Sequence, residues 1–299
     1  MFEKILLTTD FSAYAKKTLD CIAGLPKARE VILFHVAEEA RSPRGGGEVG
    51  GAFRRTENTL LKEQKRYLEK LSRDLRVTTA ITTSSDTAMA IIEAAEKRGV
   101  SLIVIGARGN SLADGILLGS VSMAVLRRSR TSVLIMRHKI IDDMKAKKYE
   151  LFCPMILSRV LCPVDFSPFS EHAISLLSVT TGVRRVILLH IVSHGETDKE
   201  IDEEVRKAKA RLEAVQSSLT AQGIETEIIV RTGSPATEIT DIADKEDASV
   251  IWMSSHGTGW FRELLLGSTA YSVARNAQRP VIIIRKPEAG AADPPFSPS

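Results

Sequence analysis

The sequence has little cysteine and no long apolar run. Its three cysteines, Cys21, Cys153 and Cys162, fit neither a disulfide framework nor a CxxC metal site, which favours reduced, partly buried thiols. No apolar run approaches the roughly 18 residues that a membrane-spanning helix needs. The first residues, MFEKILLTTD, turn acidic too early for a signal peptide. We therefore expect a cytoplasmic protein with no membrane partner.

An excess of charge of one sign is also lacking. The net charge is +4 over 299 residues, which does not indicate a nucleic-acid partner. The hydrophobic and charged fractions, 43% and 26%, are ordinary for a globular protein and exclude wholesale disorder. A single core rarely grows to this length, so two domains of about 140 residues each are expected.

What the sequence does contain is one pattern written twice. KILLTTDFS at 4–12 recurs as RVLCPVDFS at 159–167, and VILFHV recurs as VILLHI, both with an offset of 155 residues. SLIVIGARG recurs as SVIWMSSHG, and LLGSVSMAVLRRSRTSVLIMR recurs as LLGSTAYSVARNAQRPVIIIR, both with an offset of 148. Because the order is preserved, the repeats predict two copies of one domain. The predicted segments are domain one at 1–138, a linker at 139–157 with a short helix, domain two at 158–286 and a disordered tail at 287–299.

The change of offset has a visible cause in copy one. A Gly-rich stretch, RSPRGGGEVGGAF at 41–53, is absent from copy two and is predicted to be a flexible surface loop. It contains a Gly45-x-Gly47-x-x-Gly50 match. No strand directly precedes this match, so it is not interpreted as a dinucleotide fingerprint.

Within each copy, short apolar strands alternate with helical patterns. The runs ILL, VILF, LIVI and VLIM lack in-and-out alternation, as expected of strands covered on both faces. The pattern predicts two tandem α/β, doubly wound (Rossmann-like) domains, each with an open, mainly parallel five-stranded sheet. The predicted strands of copy one are Lys4–Thr8, Glu30–Val36, Arg76–Thr82, Ser101–Ile105 and Ser132–Arg137, and the predicted helices are Ala13–Leu25, Thr56–Leu75, Thr87–Arg98 and Ser120–Ser129.

Ligands of such sheets bind beyond the carboxyl ends of the strands, where the strand order switches. In copy one that edge carries Asp10 after strand one and a Gly106-x-x-Gly109 segment after strand four. Nine residues later Gly119-Ser120 opens a helix. Glycines let the backbone approach phosphate oxygens, and a helix N-terminus attracts anions. Ser120 is expected to cap that helix, to bond a phosphate, or both.

The spacing G-x-x-G, nine residues, G-[S/T], together with TTDFS, PVDFS and VILxH[VI], resembles the ATP-binding universal stress proteins over nearly the whole chain. The resemblance implies an adenine nucleotide, ATP or AMP, with Mg²⁺ possible beside ATP. Asp10 and Asp165 would contact ribose or adenine, and Val36 and Ile191 would give backbone contacts to adenine. The full set of implied nucleotide-binding residues is Thr9, Asp10, Val36, Ile105, Gly106, Arg108, Gly109, Gly119, Ser120 and Val121 in copy one, and Val164, Asp165, Ile191, Met253, Ser254, His256, Gly257, Gly267, Ser268 and Thr269 in copy two.

Copy two departs from the motif at its first glycine, which is Ser254. If that position needs positive φ or touches the ligand, the Cβ hinders binding; if its φ is ordinary, Ser254 adds a hydroxyl. Arg108 and His256 face phosphates or solvent. His35 and His190 end buried strands and are interpreted as hydrogen-bonded structural residues. Trp252 is predicted to lie in the core.

The family resemblance also implies assembly, because such domains often pair through their last strand. Ser132–Arg137 and Val281–Arg285 are both apolar and would otherwise leave an exposed sheet edge. We therefore expect the two halves to form an intramolecular pseudo-two-fold pair. Further homodimerisation of the whole chain stays open.

No Walker A lysine motif is present, which argues against a P-loop hydrolase. The favoured function is a regulatory stress-response protein whose adenylate occupancy alters its conformation or an unknown protein partner. Two alternatives remain. One is a slow ATPase or nucleotidyl-transfer enzyme of the same superfamily, and the other is a structural interaction module with empty sites.

Overall fold

The fold is described by a computed structural model, for residues 2–23, 25, 27–37, 48–107, 118–143, 146–151, 155–193, 197–257 and 266–286. Strands and helices alternate through most of both halves. Domain one contains β1 (Lys4–Thr8), α1 (Ala13–Ala23), β2 (Glu30–Ala37), α2 (Glu48–Leu71), β3 (Arg76–Thr83), α3 (Thr87–Lys97), β4 (Leu102–Gly106), α4 (Ser120–Arg128) and β5 (Ser132–Met136).

A two-stranded hairpin, β6 (His138–Asp143) and β7 (Ala146–Leu151), connects the halves. Domain two repeats the order of domain one. It contains β8 (Arg159–Pro163), α5 (Pro168–Ser178), β9 (Arg185–Val192), α6 (Asp198–Ala221), β10 (Glu225–Thr232), α7 (Pro235–Lys245), β11 (Val250–Ser254), α8 (Ser268–Asn276) and β12 (Val281–Ile284).

The two domains share one ten-stranded sheet of order β10-β9-β8-β11-β12-β5-β4-β1-β2-β3. All strand pairs within a domain are parallel, and the central pair, β5 with β12, is antiparallel. Leu134 lies opposite Ile282 in that register. The predicted doubly wound domains and their intramolecular pairing are confirmed. The pairing covers the apolar edge strand that each domain would otherwise expose, β5 in domain one and β12 in domain two.

The strands form this sheet because their apolar runs are covered on both faces. Ile5, Leu6 and Leu7 of β1 are all buried, and helix α2 places Leu61 and Leu68 on the covered face. Trp252 of β11 is fully buried, and its Nε1–H donates to the Ala173 carbonyl at 2.9 Å. The prediction that Trp252 belongs to the core is confirmed.

Two buried arginines tie each domain to the other. Arg137, just after β5, donates to the carbonyls of Ala274 and Arg275 at the C-terminal end of α8, at 2.7 and 3.2 Å. Arg285, just after β12, donates to the Leu126 carbonyl near the end of α4. A cation at a helix C-terminus meets the negative end of the helix dipole and its unpaired carbonyls. The pseudo-two-fold axis therefore exchanges one arginine for the other.

The Gly-rich stretch at 41–53 was expected to be a loop, and this prediction is wrong for its second part. Helix α2 begins at Glu48, not Thr56, so Glu48–Phe53 have helical backbone, and it ends at Leu71 rather than Leu75. Each glycine costs a helix about 1 kcal/mol relative to alanine. Propagation from the packed part of a long helix offsets such local costs, because extension adds a hydrogen bond for each residue fixed. Residues 38–47 lie outside the described part of the chain.

The expectation of a short helix in the linker is also wrong, because 138–151 form the β6–β7 hairpin. Its register sets Lys139 opposite Glu150 and Asp142 opposite Lys147.

The other predicted elements hold with small shifts of their ends. Helix α1 stops at Ala23 instead of Leu25, and α3 and α4 each stop one residue early. Such shifts are ordinary where helix ends fray. Cys21 and Cys162 are buried thiols, and burial raises the pKa of Cys162 to about 12. Cys153 and the tail at 287–299 lie outside the described residues.

Candidate functional site

A cavity of about 220 Å³ opens in domain one at the carboxyl ends of β1, β2 and β4. It lies at the point where the strand order switches between β1 and β4, the usual ligand position in an open α/β sheet. The N-terminus of α4 closes one side. The lining residues are Thr8, Thr9, Asp10, Tyr14, Ala15, Thr18, Phe34, His35, Val36, Thr87, Ile91, Ile105, Gly106, Gly119, Ser120, Val121 and Ser122.

The wall after β1 is a tight polar turn. The Asp10 Oδ1 accepts from the Ser12 N–H at 3.0 Å, and the Thr9 Oγ1 accepts from the Phe11 N–H at 3.1 Å. Phe11 has φ of 62°, a left-handed conformation that is uncommon for a residue other than glycine. Ser12 then accepts from the Ala15 N–H and starts α1. The turn fixes Asp10 at the cavity wall.

His35 stabilises this wall through a hydrogen bond to Thr9 and a ring contact with Phe11. Its Nδ1 lies 2.8 Å from the Thr9 carbonyl, so Nδ1 carries the hydrogen and donates, because a carbonyl can only accept. Its Nε2 lies 3.3 Å from Glu57 Oε1, and the Phe11 ring packs on the imidazole with centroids 4.4 Å apart. His190 makes the equivalent contact in domain two, with Nδ1 2.7 Å from the Val164 carbonyl. The structural interpretation of both histidines is confirmed.

The opposite wall is the end of β4 and the start of α4. The Gly119 N–H donates to the Ala107 carbonyl at 2.7 Å, and Ser122 donates to the Gly106 carbonyl at 2.7 Å. Gly119 is the residue before the helix and has no side-chain cap, so Ser120 does not cap α4. The first N–H groups of α4 therefore lack a side-chain cap at the cavity, which is the arrangement that attracts an anion.

Several hydroxyl groups line the cavity and donate their hydrogens to backbone carbonyls. Tyr14 donates to Met136 O at 2.6 Å, and Thr8 donates to Val104 O at 3.2 Å. Thr18 donates to the carbonyl of Tyr14 at 3.3 Å. Because each hydroxyl hydrogen is committed, the oxygens face a ligand as acceptors. The cavity therefore favours a ligand that carries hydrogen-bond donors.

Domain two has lost most of the hydroxyls that line this cavity. Six of the seven hydroxyl-bearing lining residues, Thr8, Thr9, Tyr14, Thr18, Thr87 and Ser122, correspond to Pro163, Val164, Phe169, Ala173, Pro235 and Ala270, whereas Ser120 corresponds to Ser268. The backbone of the site is nevertheless retained. Phe166 has φ of 59°, and the Gly267 N–H donates to the Ser255 carbonyl at 2.8 Å.

Ser254, the departure from the motif, ends strand β11 with ordinary φ, as Gly106 ends β4. Its Oγ donates to the His256 carbonyl at 2.7 Å. The alternative of a strained, positive φ is therefore excluded, and contact of the Ser254 Cβ with a ligand stays a prediction. That hydroxyl is turned to its own backbone.

The family model described as the universal stress protein family matches residues 1–137 and 157–285. This chain belongs to that family. Universal stress protein MJ0577 of Methanocaldococcus jannaschii is 27% identical over 157 residues, covering 44% of this chain and 97% of the relative. Universal stress protein Rv2623 of Mycobacterium tuberculosis is 28% identical over 196 residues. That alignment covers 62% of this chain and 61% of the relative's length.

A crystal structure of a universal stress protein from Archaeoglobus fulgidus aligns over nearly the whole chain. Its TM-score is 0.69 and its sequence identity 25%, and the alignment covers 95% of this chain and 97% of that one. A putative universal stress protein from Pseudomonas aeruginosa, with a TM-score of 0.64 and 17% identity, shares the fold. No described helix is long and apolar enough to cross a membrane.

For this universal stress protein, the structure brings most predicted site residues of domain one to one cavity. Those at the cavity are Thr9, Asp10, Val36, Ile105, Gly106, Gly119, Ser120 and Val121. Arg108 and Gly109 lie outside the described residues. Their roles toward a ligand stay predictions.

The predicted residues of domain two occupy the corresponding edge of its sheet. Val164 and Asp165 follow β8, Ile191 lies on β9, and Met253 and Ser254 end β11. His256 and Gly257 follow β11, and Gly267, Ser268 and Thr269 open α8. Sequence reasoning missed the contributions of Tyr14, Thr18 and Thr87 to the cavity of domain one. The loss of the same hydroxyls in copy two was the available signal.

Proposed function

We propose that this universal stress protein binds an adenine nucleotide, ATP or AMP, in the cavity of domain one. The proposal rests on one observation: Asp10, the backbone between β4 and α4, and hydroxyl groups that can accept hydrogen bonds all line one cavity. Each part matches a different portion of a nucleotide. Occupancy would then alter the conformation of the chain or its affinity for a protein partner.

The base and ribose fit the inner part of the cavity. Apolar side chains of Phe34, Val36, Ile91 and Ile105 offer flat, dry contacts to a purine ring. The acceptor hydroxyls of Tyr14 and its neighbours match the donors of an adenine amino group and of ribose. A volume of about 220 Å³ is below the ~300–1,000 Å³ of larger ligand pockets, which suits one nucleoside.

The phosphates fit the start of α4. The helix begins at Ser120 without a side-chain cap, and Gly119 brings the backbone close to the cavity. An anion there meets uncapped N–H groups and the positive end of the helix dipole. Mg²⁺ bound with ATP usually takes most of its ligands from phosphates and water and one or two from carboxylates, and Asp10 is the carboxylate at this cavity.

Regulation by occupancy is preferred over catalysis because the described lining residues, apart from Asp10 and His35, offer backbone groups, hydroxyls and apolar side chains. Phosphoryl transfer needs a group that positions the attacking water as well as charge stabilisation. Steady release of ADP from ATP, abolished by Asp10→Ala, would instead assign the chain as a slow ATPase. We place the protein in the cytoplasm. Free thiols such as Cys21 and Cys162 are typical of that reducing compartment, and adenine nucleotides are present there.

A matched pair of variants tests the site. Asp10→Ala removes the carboxylate at the cavity, and Asp165→Ala removes its counterpart in domain two. Loss of a hydrogen bond to a charged group costs about 1.5–3 kcal/mol, so Asp10→Ala should weaken AMP binding roughly tenfold to a hundredfold. Asp165→Ala should leave the affinity of the first nucleotide unchanged. Isothermal titration calorimetry with AMP and ATP measures both, and equal affinity in Asp10→Ala and the unmodified chain would reject this site.

A further inference from the structure

His35 and Glu57 form a buried polar pair beside the cavity of domain one. The Nε2 of His35 lies 3.3 Å from the Oε1 of Glu57, and the two side chains are 12% and 8% exposed. His35 is a lining residue of the cavity, whereas Glu57, on α2, contacts that lining residue. Any effect of Glu57 on a ligand therefore passes through the imidazole ring.

The hydrogen bonds of His35 fix the number of its protons. Its Nδ1 lies 2.8 Å from the Thr9 carbonyl oxygen, which can only accept, so Nδ1 carries a hydrogen. In a neutral imidazole, Nε2 would then present a lone pair to a carboxylate oxygen, and two acceptors cannot bond to each other. The contact with Glu57 therefore needs one further proton between Nε2 and Oε1. Imidazole is the stronger base of the two groups, so this proton belongs on Nε2.

The burial of Glu57 favours the same protonation state. Its Oε2 is buried and has no hydrogen-bond partner among the described residues. A buried carboxylate is costly unless a cation lies close to it. A neutral His35 would set a lone pair against Oε1 and leave that cost in full, whereas an imidazolium neutralises the charge of the carboxylate.

Domain two has the equivalent histidine without the carboxylate. The Nδ1 of His190 lies 2.7 Å from the Val164 carbonyl oxygen. Ala208 takes the place of Glu57, because each lies four residues before the first buried leucine of its long helix. An alanine side chain offers Nε2 no polar group. His190 therefore needs a hydrogen on Nδ1 alone, and it provides a neutral reference within the same chain.

We propose that His35 is an imidazolium held by Glu57 at the cavity wall, and that Glu57 is thereby a positioning residue of the site in domain one. Hydrogen bonds from an imidazolium are charge-assisted and stronger than those from a neutral ring. The Thr9 carbonyl belongs to the peptide bond that leads into Asp10, so the ring that Glu57 orients holds the backbone at that carboxylate. The effect on ligand binding rests on the proposed function of domain one, whereas the protonation of His35 does not.

Nuclear magnetic resonance of the full chain, labelled with nitrogen-15 at histidine, tests the protonation at pH 7 without nucleotide. The nitrogen shifts should show hydrogens on both nitrogens of His35 and on Nδ1 alone in His190, with the signals assigned from His35→Asn and His190→Asn. Glu57→Gln should make His35 neutral, because the amide N–H donates to Nε2. Glu63→Ala is the matched control, since Glu63 is an exposed carboxylate on the same helix, and it should leave the His35 signals unchanged.

Calorimetric titration of the same variants with AMP tests the positioning role. Glu57→Ala should weaken AMP binding roughly threefold to tenfold, which is the effect of about one lost hydrogen bond. Glu57→Gln should recover part of the affinity, because it keeps a hydrogen bond to Nε2. Glu63→Ala should bind AMP as the unmodified chain does. Circular dichroism melting establishes that each variant is folded before it is titrated.

A hydrogen on Nδ1 alone in His35 of the unmodified chain would overturn the proposal, and this result needs no variant of Glu57. Equal AMP affinity of Glu57→Ala and the unmodified chain would overturn the positioning role. An unmodified chain that binds no AMP while His35 carries both hydrogens would support the imidazolium and reject the proposed function of the cavity.

Discussion

Domain one and domain two have the same strand order and backbone turns, but their clefts differ. Asp10 and Asp165 follow the first strand in the same kind of turn, and a phenylalanine with positive φ comes after each. In domain one the turn lines a cavity of about 220 Å³ to which Tyr14 and Thr18 also contribute, whereas domain two has Phe169 and Ala173 at these two positions. Retained backbone geometry is therefore compatible with a different set of hydrogen-bonding side chains at the matched positions.

The cores differ as well, and the largest expected effect comes from there. Trp252 is fully buried in domain two, and domain one has Val104 at the corresponding position. Trp252→Val should lower the free energy of unfolding by about 3–5 kcal/mol, because it leaves a cavity and removes the hydrogen bond to the Ala173 carbonyl. Urea denaturation measures the change. Val104→Ala, a smaller truncation at the matched site, should cost less, and the reverse order would contradict this view of the two cores.

The residue that follows the cross-domain arginine differs between the domains, and in domain one it makes the stability depend on pH. His138 follows Arg137 and packs on Tyr14, whereas Lys286 follows Arg285 and lies over Phe169. The pKa of His138 is lowered from 6.5 to about 4, and burial is the main cause. The positive charge of Lys17 acts in the same direction, and the negative charge of Asp20 acts against it. The unfolded chain then takes up a proton that the folded chain resists, so stability is complete above pH 6.5 and falls as the pH drops toward 4.

The expected loss over that window is about 3 kcal/mol. His138→Phe keeps an aromatic ring against Tyr14 and removes the titration. Because carboxylates also contribute to acid unfolding, the quantity to measure is the difference between the variant and the unmodified chain in urea titrations from pH 7 to 4. A difference that does not change with pH would show that His138 is protonated as readily in the folded chain as in the unfolded chain.

Substitution of the two arginines that join the domains should lower the free energy of unfolding by unequal amounts. Arg137 donates to two carbonyls of domain two, whereas Arg285 donates to Leu126 and has Nε and Nη1 buried without a hydrogen-bond partner. Burial lowers the pKa of Arg285 to about 10, which leaves it charged at pH 7. Arg137→Ala should cost about 1.5–3 kcal/mol, and Arg285→Ala less.

Arg285→Met is the control for this pair, since it keeps the volume of the side chain without a buried charge and should be close to neutral. Thermal denaturation of the three variants provides the ranking. Arg285→Ala more destabilising than Arg137→Ala would mean that the two cross-domain contacts are not related in the way their hydrogen bonds indicate.

The smallest expected effect concerns the serines that start α1 and α5. Ser12 accepts from the Ala15 N–H and Ser167 from the Ser170 N–H. Loss of such a cap costs about 1 kcal/mol. Ser167 also donates to Asp165 and is 2% exposed, so Ser167→Ala should cost more than Ser12→Ala. Equal melting temperatures of the two variants would show that the extra bond to Asp165 adds no stability.

Repeats and apolar runs were sufficient to predict the two domains and their strands, since these depend on residue patterns that recur at fixed offsets. The pairing of β5 with β12 was implied by the family resemblance together with the apolar character of both strands. The burial of Trp252 and the hydrogen bonds of His35 and His190 followed from their places on buried strands. The hairpin at 138–151 did not, because its polar sequence has no helical or alternating period.

Two features of the sites depend on contacts between distant parts of the chain. The Asp165–Gly257 contact joins residues that follow two different strands, β8 and β11, and the Phe169–His256 ring pair joins a helix to a loop. The positive φ of Phe11 and Phe166 was also not predictable from residue type, because phenylalanine rarely takes that conformation. The motif thus indicated the edge of the sheet where a ligand is expected in each domain, without predicting these contacts.

The number of adenine nucleotides bound per chain tests the central claim most directly. Native mass spectrometry of the unmodified chain, titrated with AMP to saturation, should show at least one added mass of AMP. A chain that binds none would contradict nucleotide binding by domain one.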